Sequence, residues 1–153
     1  HSVYQELVHV PLIMRYPPLF KAGTRVDEGT DTIDIFPTVL HALGQALPDD
    51  LQGSSLIELA YGVGGGYPRP SFARRGGNLY GVGVGRYKII LRSKGAREVF
   101  DLQTDPTEQL DITNKNPIAT RFVTDVSALL VAYERDWSKR AWGVATNLTG
   151  IPR

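Results

Sequence analysis

The sequence predicts an α/β fold, in which the last part of a mostly parallel sheet is followed by a small antiparallel sheet packed with a long C-terminal helix. An apolar run at residues 7–16 is followed, after a polar connection, by a capped helix from Asp34, which is half of a β-α-β unit. Three short apolar runs between residues 79 and 102 are separated by turn signals. Asn116-Pro117 then begins a long amphipathic helix.

The first apolar run predicts a strand that is buried on both faces. Residues 7–16 are rich in Val and Ile and end at Pro17-Pro18, where proline stops regular structure. Because Pro11 has no N–H to donate to a sheet, we place it at the entrance and predict Leu12–Tyr16 as the core strand.

A capped helix is predicted after the strand. Asp31 or Asp34 can accept hydrogen bonds from its first backbone N–H groups, and Pro37 then falls in the first turn, where its missing N–H costs nothing. A shorter helix is predicted at residues 56–59. Four apolar residues share one face of the first helix at helical spacing: Ile35, Val39, Leu40 and Leu43.

The C-terminal half predicts three antiparallel strands and one helix. The strands are expected at Leu79–Val84, Tyr87–Leu91 and Arg97–Leu102. A stripe of apolar residues at steps of three or four is expected to lie against this sheet: Ile118, Phe122, Val126, Leu129, Leu130, Tyr133 and Trp137.

These patterns divide the chain into four parts. Residues 1–62 are interpreted as the end of an α/β domain and residues 63–78, rich in glycine and proline, as a loop. Residues 79–142 are interpreted as a C-terminal subdomain of antiparallel strands plus helix, and residues 143–153 as a mobile tail.

Composition excludes several classes of function. The 153 residues are enough for about one domain, and 42% apolar with 22% charged residues is ordinary globular usage. A net charge of +1 argues against a nucleic-acid surface or a polybasic membrane anchor. The absence of cysteine removes disulfides, thiolate zinc sites and cysteine nucleophiles. No apolar run approaches the roughly 20 residues of a membrane-spanning helix.

The residues themselves complete no catalytic or metal constellation. His1, His9 and His41 are too scattered for a ligand pair at helical spacing, and structural roles are favoured for His9 and His41. The sequence of residues 81–85, GVGVG, lacks the spacing of a phosphate-binding loop and predicts a strand with a tight turn.

Other polar groups also receive ordinary interpretations. Asp101, Asp105 and Glu108 lack the spacing of a calcium loop, and turn and capping roles are favoured for them. Asn147-Leu148-Thr149 matches a glycosylation acceptor, a triplet common by chance, and Arg74-Arg75 predicts a solvated basic spot.

Five blocks, in order, resemble phrases of the sulfatases, which belong to the alkaline-phosphatase superfamily. Residues 3–13 resemble "LYEELxRVPLI" and residues 33–40 resemble "VDIxPTLL". Residues 51–56 resemble "LxGxSL", residues 85–90 resemble "GRYKLI", and residues 99–108 resemble "LYDLxxDPxE". The resemblance spans about residues 1–135, and it is the order of the blocks that makes it specific.

The resemblance implies both a fold and a function. Sulfatases combine a large catalytic α/β domain, with a mostly parallel sheet, and a smaller subdomain of antiparallel strands and a long helix. This chain would be the end of the first and all of the second. It is therefore expected to be the C-terminal fragment of a sulfatase, a sulfuric ester hydrolase that acts on a sulfate ester substrate.

Departures from the family pattern imply that this fragment is inactive alone. The family's Cys/Ser-x-Pro-x-Arg motif, whose Cys or Ser becomes the nucleophile formylglycine, does not occur here. The family's calcium ligands lie upstream of His1. The fragment is therefore expected to bind no cofactor, while formylglycine and calcium are implied for the intact parent enzyme.

The resemblance implies one site residue, His1. The family places a basic Lys or His just before the "LYEE" phrase, in contact with the sulfate of the substrate, and His1 lies three residues before Tyr4. A cationic imidazole there could stabilise charge on the sulfate or protonate the leaving oxygen. His1 is accordingly predicted to bind substrate.

Two alternatives remain open from the sequence. The chain could be part of a related phosphodiesterase or phosphonate hydrolase of the same superfamily, or a non-catalytic binding module. The resemblance favours a periplasmic, secreted or membrane-tethered parent. Because Leu12–Tyr16 is predicted as an interior strand, the fragment alone is expected to self-associate through its exposed sheet.

Overall fold

A computed structural model describes residues 2–63, 69–76 and 78–148, with side chains as far as residue 136. Its helices are α1 (Gln5–Val8), α2 (Ile35–Ala42), α3 (Ile57–Ala60) and α4 (Pro117–Leu148). Its strands are β1 (Ser71–Arg75), β2 (Leu79–Val84), β3 (Tyr87–Leu91) and β4 (Arg97–Asp101), and short 3-10 turns occur at Thr32–Asp34 and Ser93–Gly95. None of the helices in the described ranges is both long and apolar enough to cross a membrane.

The four strands form one antiparallel sheet in the order β1-β2-β3-β4. A two-residue turn joins β2 to β3, and Gly85 occupies it with a φ of 58°, a left-handed conformation that most side chains disfavour. The small antiparallel sheet with a long C-terminal helix is confirmed.

One face of the sheet forms the main core against α4. Val82, Ile89 and Val99 lie side by side across β2, β3 and β4, and none of them is exposed to solvent. Val123 of α4 packs on this row and is also fully buried. Because successive side chains of a strand point to opposite faces, these three residues share the face that meets α4.

The opposite face is covered by the N-terminal segment, residues 2–8. Val3 is buried against Ile90 and Phe100, which alternate with the core row. Gly81 permits this approach, since a Cβ atom there would lie 3.2 Å from the Val3 side chain. The sheet is therefore a middle layer between α4 and the N-terminal segment.

The predicted strand Leu12–Tyr16 was wrong for this chain. Residues 11–16 have no regular structure, α1 takes up Gln5–Val8, and Ile13 is 89% exposed. A strand requires a neighbour for its backbone N–H and C=O groups, and no strand of the described ranges lies beside these residues.

The predicted contact face of α4 was also partly wrong. Ile118 is 84% exposed, and Phe122, Leu129 and Tyr133 are exposed as well. The buried positions at steps of four are Ala119, Val123 and Ser127, with Val126 and Leu130 partly buried beside them. Small residues let the helix axis approach the sheet more closely than the bulky stripe would.

Two segment boundaries also differ. The predicted loop at residues 63–78 contains β1, an edge strand of the sheet that the prediction did not include. The predicted tail at residues 143–153 is helical as far as Leu148, and the remaining residues lie outside the described ranges. The helix from Asp34 and the strands at 79–84 and 87–91 are confirmed, and the strand predicted at 97–102 is confirmed with its end at Asp101.

Candidate functional site

The predicted histidines do not come together in the described chain. His1, the predicted substrate-binding residue, lies outside the described residues. His9 is exposed, and the Nδ1 atom of His41 lies 2.9 Å from the hydroxyl oxygen of Ser55 at the surface. Across the described ranges, no group of three or more His, Cys, Asp or Glu residues could hold a metal ion. These residues therefore do not fit a calcium site.

Two of the three acidic residues near β4 have the structural roles predicted for them. Asp101 forms an ion pair with Arg86 at the β2–β3 turn. Asp105 accepts from the backbone N–H of Leu110 at 2.7 Å, and such backbone donors lower the pKa of its carboxyl group. Glu108 differs, because it is buried and paired.

Asp34 is a buried carboxylate, 2% exposed, that joins three segments. Its Oδ2 accepts from the N–H of Asp31 at 3.0 Å, which forms half of a capping box. Its Oδ1 accepts from the N–H of Ser54 at 2.8 Å and from the guanidinium of Arg69 at 2.9 Å. Asp34 thus connects the start of α2 to the segment before α3 and to the segment before β1.

A second set of contacts extends this junction. The hydroxyl of Thr38 donates to the carbonyl of Asp34 at 2.6 Å and accepts from the N–H of Leu56 at 2.9 Å. Gly53 lies so close that a Cβ atom there would be 2.1 Å from the carbonyl oxygen of Ile33. Buried donors and acceptors are thereby satisfied within the junction, as interiors require.

A cavity of about 300 Å³ lies beside this junction, between the start of α2, β1 and α4. Its polar lining includes Asp31, Arg69 and Glu134, and its apolar lining includes Phe72 and Tyr133. Burial raises the pKa of the Asp31 carboxyl, although the N–H of Phe72 donates to it at 3.3 Å. Beside this cavity Arg74, predicted as a solvated basic residue, forms an ion pair with Glu134.

The second buried charge pair lies on the face of the sheet that the N-terminal segment covers. Lys88 on β3 and Glu108 form an ion pair with 2.7 Å between Nζ and Oε1, and their side chains are 5% and 1% exposed. Burial lowers the pKa of Lys88, and the hydrogen bond and charge of Glu108 oppose that shift. The N–H of Gln5 donates to Glu108 Oε2 at 2.5 Å.

A third polar cluster holds the same segment nearby. The hydroxyl of Tyr4 donates to the carboxylate of Glu98 at 3.0 Å and accepts from the guanidinium of Arg92 at 3.2 Å. The ring of Tyr4 packs edge-on against Phe100, with 5.9 Å between centroids. In these clusters each charge faces a partner, so the arrangement holds segments together rather than offering a nucleophile or a base.

Sequence reasoning missed the Lys88–Glu108 pair, although one signal was present. Lys88 and Ile90 are two residues apart on β3, so their side chains point to the same face of the sheet. A lysine on the same face as an apolar residue is a signal that it is buried and paired. No pattern in the sequence identifies its partner, which lies 20 residues later. The proposed acceptor triplet from Asn147 extends beyond the described residues at Thr149.

A protein-family model, described as N-sulphoglucosamine sulphohydrolase, C-terminal, matches residues 1–135. Arylsulfatase K of Mus musculus is 30% identical over 149 residues, covering 88% of this chain and 27% of that protein. N-acetylglucosamine-6-O-sulfatase of Bacteroides thetaiotaomicron is 28% identical over 135 residues, covering 78% and 24%. The chain spans about a quarter of the length of these curated relatives.

Two solved structures share the fold. The structure of BT4656 in complex with its substrate D-glucosamine-2-N,6-O-disulfate matches with a TM-score of 0.63 and 22% identity, over 82% of this chain and 28% of that one. Phosphonate monoester hydrolase of Agrobacterium radiobacter matches with a TM-score of 0.54 and 22% identity, over 74% and 27%. The family match over residues 1–135 establishes that the chain belongs to the sulfatase family, in the C-terminal region of its members.

Proposed function

We propose that this chain is the C-terminal part of a sulfuric ester hydrolase and is inactive on its own. The observation that carries the proposal is the family match over residues 1–135, combined with coverage of only a quarter of each sulfatase relative. The function of the described residues is then to build the small sheet, its helix and the junction at Asp34 against the remainder of the enzyme.

The nucleophile and the metal ligands of this hydrolase are proposed to come from residues outside this chain. The chain has no cysteine and no Cys/Ser-x-Pro-x-Arg motif, so it cannot supply formylglycine. The carboxylates of Asp34, Glu108 and Asp101 are paired with cationic side chains, and no described group of acidic residues could hold a metal ion. No catalytic step is therefore assigned to a metal held by these residues.

The test compares the whole protein with residues 1–153 alone. The whole protein is expected to hydrolyse 4-nitrophenyl sulfate or glucosamine 6-sulfate, two probes suggested by the names of the relatives, and the isolated chain to hydrolyse neither. Turnover by the isolated chain would contradict the proposal that it is inactive without the rest of the enzyme. A whole protein that binds these sugars without hydrolysing them would favour the non-catalytic binding module.

A phosphonate or phosphodiester hydrolase is the second candidate, favoured by the shared fold with phosphonate monoester hydrolase. A sulfatase and a phosphonate hydrolase differ in the ester that they prefer. The kcat/KM values for a sulfate ester and a phosphonate ester with the same leaving group therefore distinguish the two hypotheses. A higher value for the sulfate ester supports the sulfatase.

His1 is proposed to contact the sulfate of the substrate in the whole enzyme. His1→Ala should lower kcat by about 100-fold or more, because a cationic imidazole stabilises developing charge or protonates the leaving oxygen. Steady-state kinetics of the whole enzyme check this, with His9→Ala as the matched control at an exposed histidine. An unchanged kcat in His1→Ala would remove His1 from the site.

The isolated chain is expected to self-associate. It exposes apolar side chains along residues 7–16 and on one side of α2, which in a whole enzyme would meet other parts of the protein. Light scattering on residues 1–153 should show particles larger than 16.9 kDa that grow with concentration. A stable monomer at high concentration would contradict this expectation. The exposed residues include Leu7, Val10, Leu12, Ile13, Met14, Ile35, Phe36, Val39 and Leu43.

A further inference from the structure

We propose that the cavity between the start of α2, β1 and α4 binds one neutral sugar ring, or a compound with the same ring size and hydroxyl groups. The proposal goes beyond sulfate ester hydrolysis and does not depend on it. The cavity volume of about 300 Å³ lies at the small end of the range found for small-molecule sites, which suits a single ring.

The walls of this cavity carry charges of both signs in pairs. The guanidinium of Arg69 donates to the carboxylate of Asp34 at 2.9 Å, and beside the cavity Arg74 forms an ion pair with Glu134. An anionic ligand would therefore lie close to carboxylates, and a cationic ligand close to guanidinium groups, which disfavours both. A neutral ligand that carries hydrogen-bond donors and acceptors meets neither repulsion.

Glu134 provides an acceptor that lacks a donor. Its Oε1 atom faces Arg74, whereas its Oε2 atom is buried and has no hydrogen-bond partner among the described residues. Leaving a buried acceptor unsatisfied is costly, and hydrogen bonds to ionised acceptors are among the strong ones. The unsatisfied oxygen therefore favours an occupant that brings O–H groups into the cavity.

Two further polar side chains of the lining can bond to such a ligand. The side chain of Arg69 is 29% exposed, and a guanidinium has more N–H donors than its contact with Asp34 uses. Burial raises the pKa of the Asp31 carboxyl, so an additional negative charge beside it is disfavoured. A sugar hydroxyl both donates and accepts, and it can therefore bond to a carboxylate or to a guanidinium.

Two aromatic side chains provide the apolar part of the wall. Phe72 is held by the core of the sheet, with its ring centroid 5.9 Å from that of Tyr80. Tyr133, one residue before Glu134 on α4, is 58% exposed and can be reached by a ligand. The C–H groups of a sugar ring form an apolar face that can pack on an aromatic ring. Aromatic and charged groups in one cavity therefore match a sugar better than a purely apolar compound.

The first experiment measures the binding of D-glucose to the whole protein by saturation-transfer NMR. Binding is expected in the millimolar range, as for other ligands of this small size. Glu134→Gln keeps the size of the side chain but removes the charged acceptor, and it should weaken binding by about 10-fold or more. Asp125→Asn is the matched control and should leave the affinity unchanged, because Asp125 also pairs with an arginine but does not line the cavity.

A second pair of variants separates a loss of binding from a loss of folding. Tyr133→Ala removes one aromatic wall and should weaken glucose binding by about 5-fold or more. Phe122→Ala removes an aromatic ring of similar exposure from the same helix but outside the cavity, and it should not change the affinity. Because both side chains are about half exposed, neither substitution is expected to unfold the protein.

Inorganic sulfate and methylamine serve as charged probes of the same cavity. If either probe binds more tightly than glucose and loses its affinity in Glu134→Gln, the cavity is an ion site and the proposal is overturned. The absence of glucose binding to the whole protein would also overturn it, including the case in which another part of the protein fills the cavity. Equal affinities for glucose in all four variants would have the same meaning.

A failure of this proposal can be distinguished from a failure of the proposed function. Turnover of 4-nitrophenyl sulfate tests the hydrolase, and glucose binding tests the cavity. Turnover without glucose binding supports the hydrolase and overturns the sugar site. Glucose binding that Glu134→Gln weakens, in a protein without turnover, supports the sugar site and contradicts the hydrolase.

Discussion

Lys88→Met is expected to lower the free energy of opening of the four-stranded sheet by about 3–5 kcal/mol. The substitution leaves the carboxylate of Glu108 buried without its cation, and an unpaired buried charge is far more costly than a lost surface pair. Methionine has a similar length and no charge, so the effect is not that of an empty cavity. Exchange of the β3 amides in the whole protein measures the opening free energy.

The double substitution Lys88→Met with Glu108→Gln tests the cause of this loss. It removes both charges and keeps an acceptor for the N–H of Gln5, so most of the stability should return. Arg121→Met is the matched control, because Arg121 pairs with Asp125 on the exposed side of α4, where solvent screens the pair and its loss should have little effect on stability. A double variant as unstable as Lys88→Met would mean that packing, rather than charge, is responsible.

Gly53→Ala is expected to destabilise the junction at Asp34 by about 2–4 kcal/mol. The added Cβ atom would lie 2.1 Å from the carbonyl oxygen of Ile33 and 2.6 Å from its carbonyl carbon, both backbone atoms that cannot turn aside. Moving residues 53 and 54 away would weaken the bond from the N–H of Ser54 to the buried carboxylate of Asp34.

Gly29→Ala is the matched control for this prediction, since a Cβ atom there meets nothing within 4 Å. It should change stability by less than about 0.5 kcal/mol. Thermal unfolding of the whole protein and exchange of the α2 amides compare the two variants. Equal effects of the two substitutions would show that lost glycine flexibility, rather than the close contact, determines the result.

Much of the C-terminal half could be predicted from local pattern. Alternating apolar residues identified β2, and short apolar runs between turn signals identified β3 and β4. The Asn116-Pro117 pair identified the first turn of α4, where Asn116 accepts from the N–H of Ala119 at 3.1 Å. The sequence of residues 81–85 was correctly interpreted as strand and turn. Such signals are local, because they depend on the backbone preferences of a few consecutive residues.

The contacts of the candidate site could be predicted only in part from local sequence patterns. Asp34 was predicted as a helix cap, but its bonds to Ser54 and Arg69 join residues 20 and 35 positions away. Glu108 was interpreted as a turn residue, and its position opposite Lys88 depends on the path of the chain after β4. The assignment of His1 depends on resemblance to sulfatases rather than on any pattern in its neighbours.

By itself, the sequence determined β2, β3 and β4 of the small sheet and the start of the long helix, and the order of its motifs identified the family. Only the tertiary structure decided which face of α4 meets the sheet, which charges are buried together, and that Leu12–Tyr16 does not form a strand here. The physical reason is that periodicity specifies an apolar face or a strand-forming run. A buried contact or a paired strand, in contrast, also requires a partner from a distant part of the chain.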